Sequence, residues 1–120
     1  MKTKLILLFT ISTFLLFTSC KKDGSKFQVT FTNNVTQGTA DGNGDYTLTG
    51  HISSRVSLDK VTLTKQGQSS PFLVDESTAK NKNEYDFSYL ITGITSNTTI
   101  IMHIFDQQGG ISSAEFLVMK

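Results

Sequence analysis

Glu84-Tyr85-Asp86-Phe87-Ser88-Tyr89-Leu90-Ile91-Thr92 alternates with period two: Tyr85, Phe87, Tyr89 and Ile91 share one parity, while Asp86, Ser88 and Leu90 share the other. Successive side chains of a strand point to opposite faces of its sheet, so this stretch reads as a half-buried β-strand with its aromatic rings inward. Gly93-Ile94-Thr95-Ser96-Asn97 then turns a corner. Thr98 to Phe105 follows, apolar on both parities from Ile100 to Phe105 except at His103, as a central strand is. Asp106-Gln107-Gln108-Gly109-Gly110 forms a hairpin turn, because glycine takes positive φ without steric cost. Ile111 to Met119 closes the chain, with Ala114, Phe116 and Val118 opposite Glu115, Leu117 and Met119.

Upstream the same period recurs. Phe27-Gln28-Val29-Thr30-Phe31-Thr32 puts Phe27, Val29 and Phe31 inward, and Asn33 to Gly44 breaks the pattern with polar, glycine-rich sequence. Asp45 to Ser53 alternates again, with Tyr46, Leu48 and Ile52 on one face and Thr47, Thr49 and His51 on the other. Gly50 falls on the inward parity and marks a bulge or a close backbone approach. Val56 and Leu58 are out of parity with Val61 and Leu63, and an extra residue at Asp59-Lys60, a β-bulge, restores one buried face. Gln66-Gly67-Gln68 turns the chain, and Pro71 to Val74 is a short strand that Pro71 confines to its start or to an edge. Asp75 to Asn83 reads as a polar surface loop.

About seven short strands with turn signals between them, and no helical period after residue 26, predict an all-β, antiparallel sandwich. The segment from Tyr85 through Gly93-Ile94 and Asn97-Thr98-Thr99 to Asp106-Gln107-Gln108-Gly109-Gly110 resembles the last three strands of immunoglobulin-like or fibronectin type III-like bacterial surface modules. The resemblance covers about thirty-five residues and implies an immunoglobulin-like β-sandwich. The cysteine and tryptophan hallmarks of antibody domains are absent, and Ile100 stands where fibronectin-type domains often carry a tyrosine.

The first twenty residues say where such a domain would live. Lys2 and Lys4 precede an apolar run, Leu5 to Phe17, interrupted by Thr10, Ser12 and Thr13, and Thr18-Ser19 lead to Cys20, the single cysteine. The run is short of the roughly 20 apolar residues that span a bilayer, and its flanks match a removable helical signal segment. Phe17-Thr18-Ser19-Cys20 resembles the lipobox of bacterial lipoproteins. Lys21-Lys22-Asp23 is similar to the charged start of Bacteroidota-type members, in which such a segment can direct export to the cell surface. The resemblance implies cleavage after Ser19 and lipidation of Cys20. The expected organisation is a signal peptide over 1–19, a lipidated tether over 20–26 and a β-sandwich over 27–120. The address this implies is the outer membrane, on the cell surface or the periplasmic face. A lone cysteine cannot form an internal disulfide, and a multiply acylated one holds stably in a bilayer.

Charge excludes one partner class. Eleven basic residues stand against ten acidic ones, a formal +1; without Lys2 and Lys4 the balance is about −1, with no basic stripe of the kind nucleic acid requires. Candidate chemistry is sparse. Asp41, Asn43 and Asp45 alternate oxygen ligands as a calcium loop does, but the twelfth position, where a bidentate glutamate belongs, is Ile52; the loop offers at most a weak calcium site. His51 and His103, on separate strands, lack zinc-site spacing. His51 is expected in solvent and His103 on an outer sheet face. The carboxylates of Asp75, Glu76, Glu84 and Asp86 lack a cleft that would shift an acid's pKa. No cofactor and no enzymatic activity are expected. In immunoglobulin-like connectivity the loops carrying Arg55, Asn81, Lys82, Asp106, Gln107 and Gln108 converge at one open end and offer a polar patch for a protein or a glycan. Protein ranks first, because Tyr46, Tyr85 and Tyr89 point inward and no tryptophan is available to stack on a sugar. The alternatives are an accessory subunit of an envelope complex, a hydrolase and a hydrolase inhibitor.

Overall fold

The computed structural model describes residues 27–120. The signal segment, Cys20 and the tether lie outside the described residues. Eight strands form in chain order: β1 (Phe27–Phe31), β2 (Gln37–Thr39), β3 (Tyr46–Ser54), β4 (Leu58–Lys65), β5 (Leu73–Asp75), β6 (Glu84–Ile91), β7 (Thr98–Asp106) and β8 (Ile111–Met119). They make two sheets, β1-β3-β6 and β2-β8-β7-β4-β5. All pairings are antiparallel except that of β2 with β8.

The period-two parities become the core. Leu48, Ile52, Phe87 and Ile91 of one sheet face Leu58, Val61, Leu63, Ile100, Met102, Ile104, Phe116 and Val118 of the other, each at most 2% exposed. Phe31 meets Phe116 of the other layer edge-on at 5.0 Å and Phe87 of its own sheet edge-on at 6.1 Å, and Tyr46 lies 5.4 Å from Phe116 across the layers. Edge-to-face contacts of this kind add to the area term because the positive rim of one ring meets the negative face of another. The expected bulge is present. Leu58 pairs with Asp106 and Lys60 with Phe105, so Asp59 is the extra residue and Leu58 and Val61 both point inward.

At Gly50 the structure decides between a bulge and a close approach. Its pairing with Phe31 and Phe87 is regular, and an added Cβ would fall 2.5 Å from the Thr30 carbonyl oxygen and 2.6 Å from the Phe87 ring. Gly50 is therefore where a ring and a neighbouring strand press on the backbone.

Two local expectations are corrected. Gln37–Thr39, read as part of a broken polar stretch, is strand β2, running parallel to Leu117–Met119. Three residues are too few to show a period, and Gly38 is there because an added Cβ would lie 2.6 Å from the Tyr46 ring. Asp75, read as the start of a surface loop, ends β5 and is 7% exposed. Its inward parity follows from its pairing with Val61.

Candidate functional site

The three loops expected to converge do so, through main-chain hydrogen bonds. Ser54 N donates to Asn83 O at 2.8 Å, Leu58 N to Lys82 O at 2.8 Å, Asn81 N to Leu58 O at 2.8 Å and Gln107 N to Ser57 O at 2.9 Å. The Gln107 amide reaches Leu58 O at 3.1 Å and the Asn81 side chain as well. Arg55, Asn81, Lys82, Gln107 and Gln108 are exposed at this end, and the Lys82 ammonium sits 5.7 Å from the Tyr85 ring centre. Asp106 departs from the expected open loop position, being 4% exposed. Its Oδ1 accepts from Gln108 N at 2.8 Å and Gly110 N at 2.7 Å, so the carboxylate shapes its own hairpin.

Phe27 pairs with Ser54 at the last residue of β3, so the first described residue lies beside the convergent loops. Position along the sequence does not reveal this; the β1–β3 register does.

His51 is not the freely solvated side chain expected. Its Nδ1 lies 2.6 Å from Asp86 Oδ1 and its Nε2 lies 2.7 Å from Glu84 Oε1, while Ser53 Oγ donates to Glu84 Oε2 at 2.7 Å. The register makes the cluster: His51 stands opposite Asp86, and Ser53 opposite Glu84. Hydrogen bonds to Glu84 and then Asp86 hold the imidazole above its ordinary value of 6.5, because an acceptor at each nitrogen favours the form with two N–H donors. Glu84 is correspondingly held below the usual carboxylate range by His51 and Ser53. Glu84 and Asp86, two apart on β6, share a face and so both reach His51.

The cluster does not form a nucleophile relay. Ser53 addresses a carboxylate, not the imidazole. The two acids occupy opposite ring nitrogens on an open sheet face, with the His51 side chain 42% exposed. Among the described residues no group of three or more His, Cys, Asp or Glu side chains is placed to hold a metal ion. In the loop weighed for calcium, Asp41 Oδ1 accepts from Asn43 N at 2.9 Å and Asp45 N at 3.0 Å. The Lys120 ammonium donates to the carbonyls of Asp41 and Gly42 at 3.2 and 3.3 Å. A carboxylate oxygen and two carbonyls of that loop thus serve its internal architecture.

Asp75 is, with Asp106, one of two buried acids among the described residues. Its carboxylate accepts from Thr78 Oγ1 at 2.6 Å, Tyr89 OH at 2.7 Å, Tyr85 OH at 3.0 Å and the Thr78 amide at 2.9 Å. Burial by itself would raise its pKa, but bonds from Thr78, Tyr89 and Tyr85 outweigh that and bring it to about 2. Burial, then the bond to Asp75, pushes the Tyr89 phenol far above its usual range. Both tyrosines are committed to this anchor.

The least expected surface is the outer face of the five-stranded sheet. Ile101, His103 and Phe105 of β7 are only partly covered, and Phe72, Val74 and Ile111 are 38%, 49% and 61% exposed. Residues paired across strands share a face, so Ile111 stands beside Phe105, and Val74 beside Thr62 and His103. The Lys60 ammonium lies 4.8 Å above the Phe105 ring. Alternation reveals which residues face out; that Ile111 lies beside Phe105, and that Lys60, Thr62, Thr64, Ser113 and Glu115 share the face, needs the strand order.

No protein-family model matches the chain, and no curated protein matches it. Among solved structures the chain is similar to the fibronectin(III)-like modules of Clostridium thermocellum CbhA, at 17% identity and a TM-score of 0.53. The match covers 78% of this chain and 46% of that one, so the chain spans less than half the length of the protein it matches. The domain has the immunoglobulin-like, fibronectin(III)-like β-sandwich fold.

Proposed function

We propose that this chain is a lipid-anchored, non-enzymatic β-sandwich of the bacterial envelope that acts as a protein-binding or assembly module. Cys20 would hold it at the outer membrane, on the cell surface or the periplasmic face. The observation that carries the reading is the set of exposed apolar side chains on the outer face of the five-stranded sheet, Phe72, Val74 and Ile111, the last beside Phe105. Apolar patches on otherwise polar domains mark protein contacts.

The titratable groups support a non-catalytic role. Catalysis uses shifted groups in a water-excluded cleft, whereas His51 is clamped between two carboxylates on an open face and Asp75 is saturated with donors. A glycan is disfavoured as the ligand, because Tyr85 and Tyr89 are tied to Asp75 and Tyr46 packs on Phe116. The loop end stays a polar contact surface through Arg55, Asn81, Lys82, Gln107 and Gln108.

Replacement of Cys20 by Ala tests the anchor. The chain should move from the detergent fraction to the soluble fraction, and retention of a membrane-bound chain with its signal uncleaved would refute lipidation. Ile111→Glu tests the binding face, since a bound protein should be lost from pull-downs while the domain stays folded.

A further inference from the structure

We infer that the free edge of strand β6 is a docking site for an extended, cationic segment of another protein, which adds to the three-stranded sheet as a further antiparallel strand. This surface is separate from the exposed apolar side chains of the five-stranded sheet, and it requires neither those residues nor the lipid anchor.

The strand order leaves β1, β6, β2 and β5 at sheet edges. β2 and β5 contain 3 residues each and β1 contains 5, whereas β6 contains 8. Its register with β3 runs from Glu84 to Ile91 without a shift, and β3 is its only strand partner among the described residues. Natural edges are blunted by shortness, bulges, proline or lysine; β6 has none of these. The ladder shows which of its groups are free. Ser54 N donates to Asn83 O at 2.8 Å, one step beyond the pairing of Ser53 with Glu84, so Ser54 and Asn83 form a hydrogen-bonded pair. Bonded and non-bonded pairs alternate along an antiparallel ladder, which makes Ile52 with Tyr85, Gly50 with Phe87 and Leu48 with Tyr89 the bonded ones. The N–H and C=O groups of Glu84, Asp86, Ser88 and Leu90 therefore point away from β3, over about 20 Å of edge. Backbone groups at strand spacing select an extended chain as their occupant.

The edge is held in place from inside. Tyr85 and Tyr89, alternate residues of β6, donate to Asp75 Oδ2 of the other sheet at 3.0 and 2.7 Å, and Phe87 stacks on Tyr89 at 5.6 Å. A template fixed before binding loses little freedom when a strand is added. Charge then selects the partner. Strands β1, β3 and β6 contain no Lys or Arg. The outward side chains along the edge are Glu84, Asp86, Ser88 and Leu90, the last 56% exposed. His51 faces one oxygen of each carboxylate, so two negative groups stand against a single imidazole. Opposite charges facing each other across a strand pair attract and like charges repel. The fitting segment thus carries Lys or Arg opposite Glu84 and Asp86 and an apolar residue opposite Leu90. A second copy of β6 fits less well, because antiparallel pairing through the same free groups sets acids opposite or diagonal to one another, or leaves the Glu84 end unpaired.

The test uses the full chain in mild detergent and a blocked octapeptide that alternates valine with, in order, leucine, threonine, lysine and lysine. In antiparallel register its leucine falls opposite Leu90 and its lysines opposite Asp86 and Glu84. Amide exchange read by NMR should show Asp86, Ser88 and Leu90 exchanging fast in the free chain and slowed by about tenfold or more with peptide, while Tyr85, Phe87 and Tyr89 are protected throughout. Replacing both lysines of the peptide by glutamate should weaken binding by about tenfold at low salt. N-methylation of its threonine and first lysine amides keeps the charge, removes donors toward β6 and should abolish binding. Ser88→Pro removes a free-edge N–H without touching the ladder to β3 and should abolish it as well. Leu90→Lys is a milder change that sets a cation on the edge and should weaken binding by about tenfold. Ile111→Glu, which tests the sheet-face reading, should leave peptide binding unchanged. Unprotected Asp86, Ser88 and Leu90 amides at millimolar peptide, equal binding of the N-methylated or the glutamate peptide, or loss of binding in Ile111→Glu would each overturn the inference. So would protection that rises with chain concentration in the absence of peptide, the mark of a second copy on the edge.

Discussion

Asp75 gives the sharpest quantitative test. Its folded-state pKa is about 2 against 3.8 for the free side chain, and the residue is buried. A depressed acid stabilises the fold above its unfolded pKa and loses that contribution as pH falls through the folded one. The difference corresponds to about 2 kcal/mol, present above about pH 5, roughly half lost at pH 3 and mostly lost at pH 2. Asp75→Asn keeps the shape and one acceptor oxygen but removes the charge that receives Thr78, Tyr85 and Tyr89. It should cost about 2 kcal/mol at pH 7, and much less at pH 2, where the native acid is itself substantially protonated. Urea unfolding of both chains from pH 7 down to pH 2 measures this. The other carboxylates titrate in both proteins, so the change in the difference isolates Asp75. A difference that stays constant over this range would refute the assignment of its low pKa to the hydrogen bonds from Thr78, Tyr89 and Tyr85.

Phe116, 2% exposed between Phe31 and Tyr46, should lose about 3–5 kcal/mol on replacement by Ala; a loss below about 1 kcal/mol in denaturant unfolding would show the ring is not part of the packed interlayer. His51, raised by Glu84 and Asp86, contributes stability that is fully present below pH 6.5 and is lost as pH rises through its folded pKa. Proton NMR should place the His51 midpoint above 6.5 and show it falling in Glu84→Gln; a midpoint at or below 6.5 in the native chain would mean that the clamp does not persist in solution.

The residues lost to sequence reasoning share one feature: their role depends on which strand lies beside which. His51 and Asp86 are 35 residues apart, each on the polar parity of its own strand, and alternation treats both as solvated. The β3–β6 register places them directly opposite. Asp75 is the last residue of the three-residue strand β5, too short for a period to be counted, and its inward direction comes from pairing with Val61.

What the sequence determined by itself is every property that period two can encode. Inward Phe87, Phe116 and Val118, the bulge at Asp59-Lys60 and the two-layered all-β architecture follow from side-chain alternation, because a one-residue slip would turn the whole apolar set to solvent. The tertiary structure decided what non-local pairing creates. It set the parallel β2 beside β8, the His51 clamp, the Asp75 anchor, the pairing of Ile111 with Phe105 on an outer sheet face, and the position of Phe27 at the loop end. Alternation fixes the direction of each side chain relative to its own strand; only the order and register of strands, set by packing over the entire core, fix what that side chain meets.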